Sequence, residues 1–133
     1  MVSDRQSIDV TRHGRVTVVA FRHELDLEDT VEATLALSRA LADADTGGTL
    51  LDLAALTFAD STQLNVILRA HTGHRDAARP FVMAGPYHPG VWRLLDVTGV
   101  TEVLELADTF EDGLRRVHAL LGSDRIAAPD DMH

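Results

Sequence analysis

The sequence contains no cysteine and no lysine, and aromatic residues make up 5% of its 133 residues. Without cysteine there is no disulfide framework, no thiolate nucleophile and no cysteine-ligated metal site. Without lysine, Schiff-base chemistry and the phosphate-binding lysine of a P-loop are excluded. Because aromatic residues are scarce, we expect leucine, valine, alanine and isoleucine to supply most of the core.

Basic side chains are outnumbered, since 12 arginines stand against 21 acidic residues and give a formal net charge of −9. This balance argues against nucleic acid as a partner, because no basic stripe is available to displace counterions from a phosphate backbone. The first residues lack the apolar segment of a signal peptide, and no stretch approaches the ~20 apolar residues of a membrane span. We therefore expect a cytoplasmic protein that binds neither nucleic acid nor membrane.

Five segments have the composition of β-strands. The run from Val16 to Phe21 is almost continuously apolar, which is typical of a strand buried on both faces of a sheet. His13 and Gly14 separate it from an earlier β-rich run, and this spacing predicts a hairpin. The predicted strands span residues 8–11, 15–21, 49–53, 80–85 and 102–106.

Four further segments repeat apolar residues with helical spacing, and short turn-rich stretches separate them from the strands. The predicted helices span residues 28–44, 61–73, 88–97 and 108–121. This alternation predicts an α/β fold, a single domain with a mixed, mostly parallel sheet of about five strands and about four helices. We expect the domain to cover residues 1–121 and residues 122–133 to form a disordered tail.

Two acidic loops follow neighbouring predicted strands. Glu24-Leu25-Asp26 comes after the second strand, and Asp60-Ser61-Thr62 comes after the third. The carboxyl ends of parallel strands share one edge of a sheet, where loops and helix N-termini converge and ligands and partners commonly bind. The sequence therefore predicts a binding site at this edge.

Ser61 lies at the predicted start of the second helix. A phosphate on its hydroxyl would lie among backbone N–H donors at the positive end of the helix dipole. The added charge of about −1.5 to −2 would also repel nearby acids such as Asp60 and so change any protein surface that docks there. Serine, threonine and aspartate before a helix are commonly plain N-caps, so the pattern leaves both interpretations of Ser61 open.

From Val16 to Leu120 the sequence resembles a STAS domain, the module named for sulphate transporters and anti-sigma factor antagonists. The resemblance is carried by residues 24–26, by residues 53–58 leading into 60–62, and by residues 91–100. The chain departs from the family pattern in two places: His23 replaces a glycine, and the Asp-Ser-Ser-Gly-Leu motif appears as Asp60-Ser61-Thr62-Gln63-Leu64, with Gln63 in place of the motif's glycine. Because glycine lets a partner's backbone approach closely, Gln63 bears on which kinase is selected and on how well it phosphorylates.

The resemblance implies an anti-sigma factor antagonist that works by partner switching. In that family, a serine preceded by aspartate at the start of the second helix is phosphorylated by an ATP-dependent anti-sigma factor kinase, and Ser61 matches it. The unphosphorylated protein binds the anti-sigma factor and frees the sigma factor; phosphorylation prevents this binding until a serine phosphatase removes the phosphate. The kinase supplies the ATP and metal, so we expect this chain to be no enzyme and to carry no cofactor.

The implied docking surface surrounds Ser61, with Thr62 as the alternative phosphate acceptor. It comprises Glu24, Leu25, Asp26, Asp60, Thr62, Gln63, Leu64 and Arg69. The alternative function is a STAS scaffold or ligand-sensing module, which would bind partners through the same edge without being switched by phosphate.

Four other kinds of site are weaker. The acids of the two loops suit Mg²⁺, but they also suit helix starts and a solvated surface. His71 and His74 have the spacing of metal ligands on one helix face, yet no third ligand is evident, so we expect solvent-exposed or helix-end histidines. Ser61 lacks the flanking glycines of a hydrolase nucleophile, and a receiver domain would need the missing lysine.

Trp92 also has two interpretations. In one, it lines a groove for a partner together with the leucines that follow it. An aromatic residue among leucines at helical spacing is more often part of the core, and we predict that role for Trp92.

Overall fold

The computed structural model describes residues 7–127, within which five strands form one sheet in the order β1-β2-β3-β4-β5. The strands are β1 (Ile8–His13), β2 (Val16–His23), β3 (Gly48–Leu56), β4 (Phe81–Ala84) and β5 (Leu106–Ala107). β1 and β2 form an antiparallel hairpin, whose turn places Gly14 at a left-handed φ of 63°. All other neighbouring strands are parallel, so the predicted mixed, mostly parallel sheet is confirmed.

Helices cover both faces of this sheet. They are α1 (Leu27–Ala42), α2 (Ser61–Asp76), α3 (Pro89–Val97) and α4 (Phe110–Ala127). Side chains of α1, α2 and α3 pack on one face around Phe21 and Leu51, whereas α4 packs on the other face against Val18 and Leu50. As predicted, β2 is buried on both sides from Val16 to Phe21. Among the described residues, no helix is long and apolar enough to cross a bilayer.

The predicted end of the second helix at Gly73 is wrong, because α2 continues to Asp76. Gly73 is a packing position: a Cβ added there would lie 3.0 Å from Leu41 of α1. The helix ends instead where Ala78 adopts a left-handed φ of 58°. A glycine inside a helix therefore marks close helix packing here rather than a stop.

The predicted last strand, residues 102–106, is also misplaced. Gly99 takes a φ of 79°, and Val100–Glu102 then form a 3-10 turn. The N–H groups of Val103 and Leu104 donate to the carbonyl of Val100, each at 2.9 Å, so they are consumed locally. Strand pairing begins at Glu105, whose carbonyl accepts from Met83, and the strand itself is only Leu106–Ala107.

Trp92 does not belong to the core, contrary to the prediction. Val91 and Leu95 occupy the buried side of α3, and the next position along the helix is rotated away from them by roughly 100°. Trp92 is 41% exposed and packs on Tyr87, with ring centroids 5.5 Å apart.

Helix α4 extends to Ala127, and so into the segment that was predicted as a disordered tail. The remaining part of that predicted tail, residues 128–133, lies outside the described residues. The domain boundary at residue 121 stays a prediction.

Candidate functional site

The two acidic loops leave neighbouring strands at one edge of the sheet and are joined there. β2 ends at His23 and β3 at Leu56, and these two residues are register partners. The N–H of Thr57 donates to the carbonyl of His23 at 2.9 Å, and its hydroxyl donates to the same carbonyl at 3.2 Å. His23 has a left-handed φ of 62°. Glycine adopts this conformation without strain, whereas in a histidine it is unfavourable by about 1 kcal/mol.

The first loop ends in a capping box at the start of α1. The Asp26 carboxylate accepts from the N–H of Asp29 at 2.8 Å, and the Asp29 carboxylate accepts from the N–H of Asp26 at 3.1 Å. Two N–H groups that helix geometry leaves unpaired are thereby satisfied. The acids of this loop thus have a structural role in addition to their charge.

The second loop ends in a matching box at the start of α2. The Asp60 carboxylate accepts from the N–H of Thr62 at 2.9 Å, and the side-chain oxygen of Gln63 accepts from the N–H of Asp60, also at 2.9 Å. Asp60 is therefore the N-cap, and Ser61 is the first residue of the helix. The capping role that the sequence left open for Ser61 belongs to Asp60, and the Ser61 side chain is exposed.

Gln63 connects the two helix starts. Its side-chain amide donates to the hydroxyl of Thr30 at 3.4 Å, and that hydroxyl donates to the carbonyl of Asp26 at 2.9 Å. A continuous run of hydrogen bonds therefore leads from Asp60 to Asp26, so the predicted meeting of the two loops is confirmed. Gln63 stands where the family pattern has glycine, and its side chain is buried, with an exposed fraction of 5%.

The structure divides the predicted docking residues into two groups. Five side chains are exposed at the edge: Glu24, Asp26, Asp60, Ser61 and Thr62. Leu25, Gln63 and Leu64 are buried, with exposed fractions of 5–8%, and support this surface from beneath. Arg69 is exposed on α2 but stands eight residues after Ser61, about 12 Å further along the helix. The surface that a partner can contact is thus smaller and more acidic than the predicted set.

Two exposed apolar side chains flank these residues and were missed from the sequence. Leu27, directly after the Asp26 cap, is 78% exposed, and Phe58, two residues before the Asp60 cap, is 49% exposed. In the sequence they look like the core residues of an adjoining helix and strand. Their signal was their place beside a helix cap, where a side chain is free to point outward.

His74, one of the two histidines of α2 considered as metal ligands, has a structural role. His74 is fully buried: its Nδ1 contacts the carbonyl of Ala70 at 2.7 Å and its Nε2 contacts the hydroxyl of Thr49 at 2.9 Å. Since a carbonyl can only accept, Nδ1 carries the proton and the Thr49 hydroxyl donates to Nε2. Burial lowers the pKa of His74, and the charge of Arg79 lowers it further. No group of three potential ligands among residues 7–127 is placed to hold a metal ion.

The fold and the sequence resemble one group of known proteins. A family model for the STAS domain matches residues 7–113. An anti-sigma factor antagonist from Mycobacterium paratuberculosis has a similar structure, with a TM-score of 0.72 and 23% identity over 84% of this chain and 92% of that one. Among curated proteins no relative matches the chain.

Two further structures are similar. A variant of Moorella thermoacetica RsbS superposes with a TM-score of 0.75 and 20% identity, covering 87% of this chain and 98% of that one. The Bacillus cell fate determinant SpoIIAA in its phosphorylated form gives 0.66 and 17%, covering 83% and 98%.

Proposed function

The chain belongs to the STAS domain family, and on this basis we propose that it is an anti-sigma factor antagonist switched off by phosphorylation at Ser61. In its unphosphorylated form it binds an anti-sigma factor that is a serine kinase, and so frees a sigma factor to direct transcription. The kinase ends this binding by phosphorylating Ser61, and a serine phosphatase restores it. Its role is to bind, and it needs no cofactor of its own.

The observation that carries this proposal is that the Ser61 side chain is exposed and that Asp60, not Ser61, caps the helix. The Asp60 carboxylate accepts from the N–H of Thr62, and the Gln63 side chain accepts from the N–H of Asp60, so the Ser61 side chain takes no part in this cap. A side chain without a structural task at a protein edge is free to enter a kinase active site. The similar Bacillus protein has been seen in a phosphorylated form, which supports phosphorylation as the kind of switch.

Charge explains how phosphate would end binding. Asp60 adjoins Ser61, and the hydrogen bonds through Gln63 and Thr30 hold the first turn of α1, with Asp26, against the same site. A phosphate would add a charge of about −1.5 to −2 to this already acidic edge. Any partner surface complementary to the exposed acids and hydroxyl would then meet extra bulk and unbalanced charge, so its affinity would fall.

One observation favours the alternative, a STAS scaffold that is not switched by phosphate. The buried Gln63 side chain occupies the space that glycine would leave open and holds the first turn of α2 in the helical form. A kinase that must draw Ser61 away from the helix would first have to break these hydrogen bonds. Phosphorylation at Ser61 would then be slow, and partners would bind the edge constitutively.

Phosphate transfer distinguishes the two functions. The purified protein is incubated in turn with each anti-sigma factor kinase of its organism and ATP, and any phosphate is located by mass spectrometry. We expect phosphate on Ser61, none on the Ser61→Ala variant, and normal transfer to the Thr62→Ala variant. Phosphate on Thr62 instead would move the switch by one residue.

Binding to the anti-sigma factor provides the second measurement. We expect Ser61→Ala to bind as tightly as the unmodified protein and Ser61→Asp to bind about tenfold more weakly or worse. If no kinase modifies the protein and both variants bind equally well, the switch is refuted and the scaffold function replaces it.

A further inference from the structure

Helix α1 carries its small side chains inward and its larger apolar side chains outward. Three of the four buried residues of α1 are alanines, Ala33, Ala36 and Ala40. Leu27, Val31 and Leu35 are 78%, 57% and 48% exposed, respectively. Residues four apart lie on one side of a helix, so these three form a single apolar ridge directed away from the sheet. An amphipathic surface helix normally has the opposite arrangement.

The ridge continues onto the edge strand. Leu35 and Val10 of β1 line one groove of about 400 Å³ between α1 and β1, and Val10 is 52% exposed. At its other end the ridge begins with Leu27, next to the Asp26 cap. The ridge therefore starts at the edge of the sheet where Ser61 is exposed and follows the outer side of α1 from Leu27 to Leu35. Contiguous exposed apolar side chains of this kind mark interaction surfaces.

The charge beside the ridge indicates what covers it. Residues 24–32 contain five acids and no basic residue, and the next arginine is Arg39. Glu28 and Glu32 are exposed, and the groove that Leu35 lines is acidic on balance, since Asp9, Glu32 and Asp43 line it together with one base, Arg39. Two copies of the chain joined through this ridge would bring acid against acid, which disfavours self-association. The complementary partner is apolar and basic.

We propose that the ridge formed by Leu27, Val31, Leu35 and Val10 is a docking surface for a basic, amphipathic segment of the anti-sigma factor. This inference rests on the proposed function, because it extends the partner's contact from the Ser61 edge along α1. Apolar side chains of the partner would cover the ridge, and its arginine or lysine side chains would face Glu28 and Glu32.

The test measures the dissociation constant of each anti-sigma factor of the organism for three variants of the unphosphorylated protein. Val31→Gln combined with Leu35→Gln makes the middle of the ridge polar, and Glu28→Gln combined with Glu32→Gln removes the two acids that would face the partner's basic side chains. Leu120→Gln is the matched control, because Leu120 is 37% exposed on α4, across the sheet. All changed side chains are exposed, so thermal unfolding should confirm that each variant is folded.

We expect the ridge variant to weaken binding by about tenfold or more, and the control to change it by less than about twofold. The charge variant should bind more weakly at low salt and should lose much of the salt dependence of binding. Equal dissociation constants for the ridge variant and the control would overturn the inference.

Phosphate transfer to the wild-type Ser61, measured in parallel, separates this inference from the proposed function. If Ser61 is phosphorylated but the ridge variant binds normally, the inference is wrong and the switch stands. If the ridge variant binds poorly but Ser61 is never phosphorylated, the docking surface stands and the switch is refuted.

Discussion

The two ends of helix α2 carry polar side chains in opposite situations. At its start, Ser61 is exposed, and its neighbours Asp60 and Gln63 make the hydrogen bonds. Near its end, His74 is fully buried and bonded through both ring nitrogens, and its ring stacks on Phe81 with centroids 4.7 Å apart. One end of the helix is free to be modified, whereas the other is locked into the core.

This contrast shows why residue type alone does not report the role of a side chain. Histidine is often a ligand or a titrating switch, and serine is often a cap, yet here histidine is a core residue and the serine is the free group. The surroundings decide the role. Changes at the two ends should therefore differ in kind: those at His74 should act on stability, and those at Ser61 on binding.

The largest loss of stability is expected from His74→Ala. The change removes a stacked ring and both of its hydrogen bonds, and it leaves the buried Thr49 hydroxyl without its partner. We expect the free energy of unfolding to fall by about 3 kcal/mol in urea titrations. His71→Ala, on the same helix but only half-buried, is the control and should cost less than about 1 kcal/mol. Similar losses for the two variants would show that the end of α2 is not locked as described.

Acid should weaken the same end of the helix. Burial and the charges of Arg79 and His71 lower the pKa of His74 in the folded protein below the value of 6.5 that applies to the unfolded chain. The unfolded state then binds the proton more readily, so the contribution is fully present above pH 6.5 and is lost as pH falls below it.

Urea titrations at several pH values, run on the wild type and on His74→Gln, isolate this effect. As the pH falls from above 6.5 to below it, the free energy of unfolding should decrease more for the wild type than for the variant. Parallel pH profiles for the two proteins would contradict the assignment of a neutral buried His74. The change at the start of α2 offers no such effect, since Ser61 does not titrate in this range.

A smaller loss is expected at the start of the helix from Gln63→Ala. This variant removes one half of the capping box and the hydrogen bond to Thr30, and it should lower the free energy of unfolding by about 1 kcal/mol. Asn65→Ala, at an exposed neighbouring position, is the control and should cause no loss of stability.

Gln63→Ala also opens the space that the family glycine leaves, so phosphate transfer to Ser61 should become faster. Unchanged stability and unchanged transfer would show that Gln63 neither caps nor restrains this helix start.

The smallest effect on stability is expected from Ser61→Ala. Because Asp60 provides the cap, the free energy of unfolding should change by less than about 0.5 kcal/mol, while phosphate incorporation is lost. Thermal unfolding of Asp60→Ala provides the comparison, because loss of the cap should lower the free energy of unfolding by about 1 kcal/mol. A larger loss for Ser61→Ala than for Asp60→Ala would reverse the assignment of the cap.

Much of the fold followed from local patterns. The apolar run of β2, the turn at Gly14 and the acids ahead of α1 were sufficient to predict the hairpin, the buried strand and the first helix. Errors came where a segment made contacts other than those its local pattern indicated. Gly73 ends no helix because it makes room for Leu41, and residues 102–104 pair with the preceding turn instead of with β4.

The candidate site divides in the same way. The order of residues determined that Asp60, Ser61 and Thr62 stand at a helix start and that two acidic loops reach one edge of the sheet, because parallel strands bring their carboxyl ends together. The Asp60-x-x-Gln63 spacing is also the sequence signature of a capping box.

Tertiary structure alone decided which of these side chains a partner can reach. Burial depends on what packs against a residue from distant parts of the chain, and no local pattern reports it. Only the packed helices show that Gln63 and Leu64 are covered while Ser61 is exposed, and that α1 directs alanines inward and Leu27, Val31 and Leu35 outward. The sequence by itself determined the family, the fold and the position of the serine; the packing of α1, α2 and the sheet determined that this serine is free.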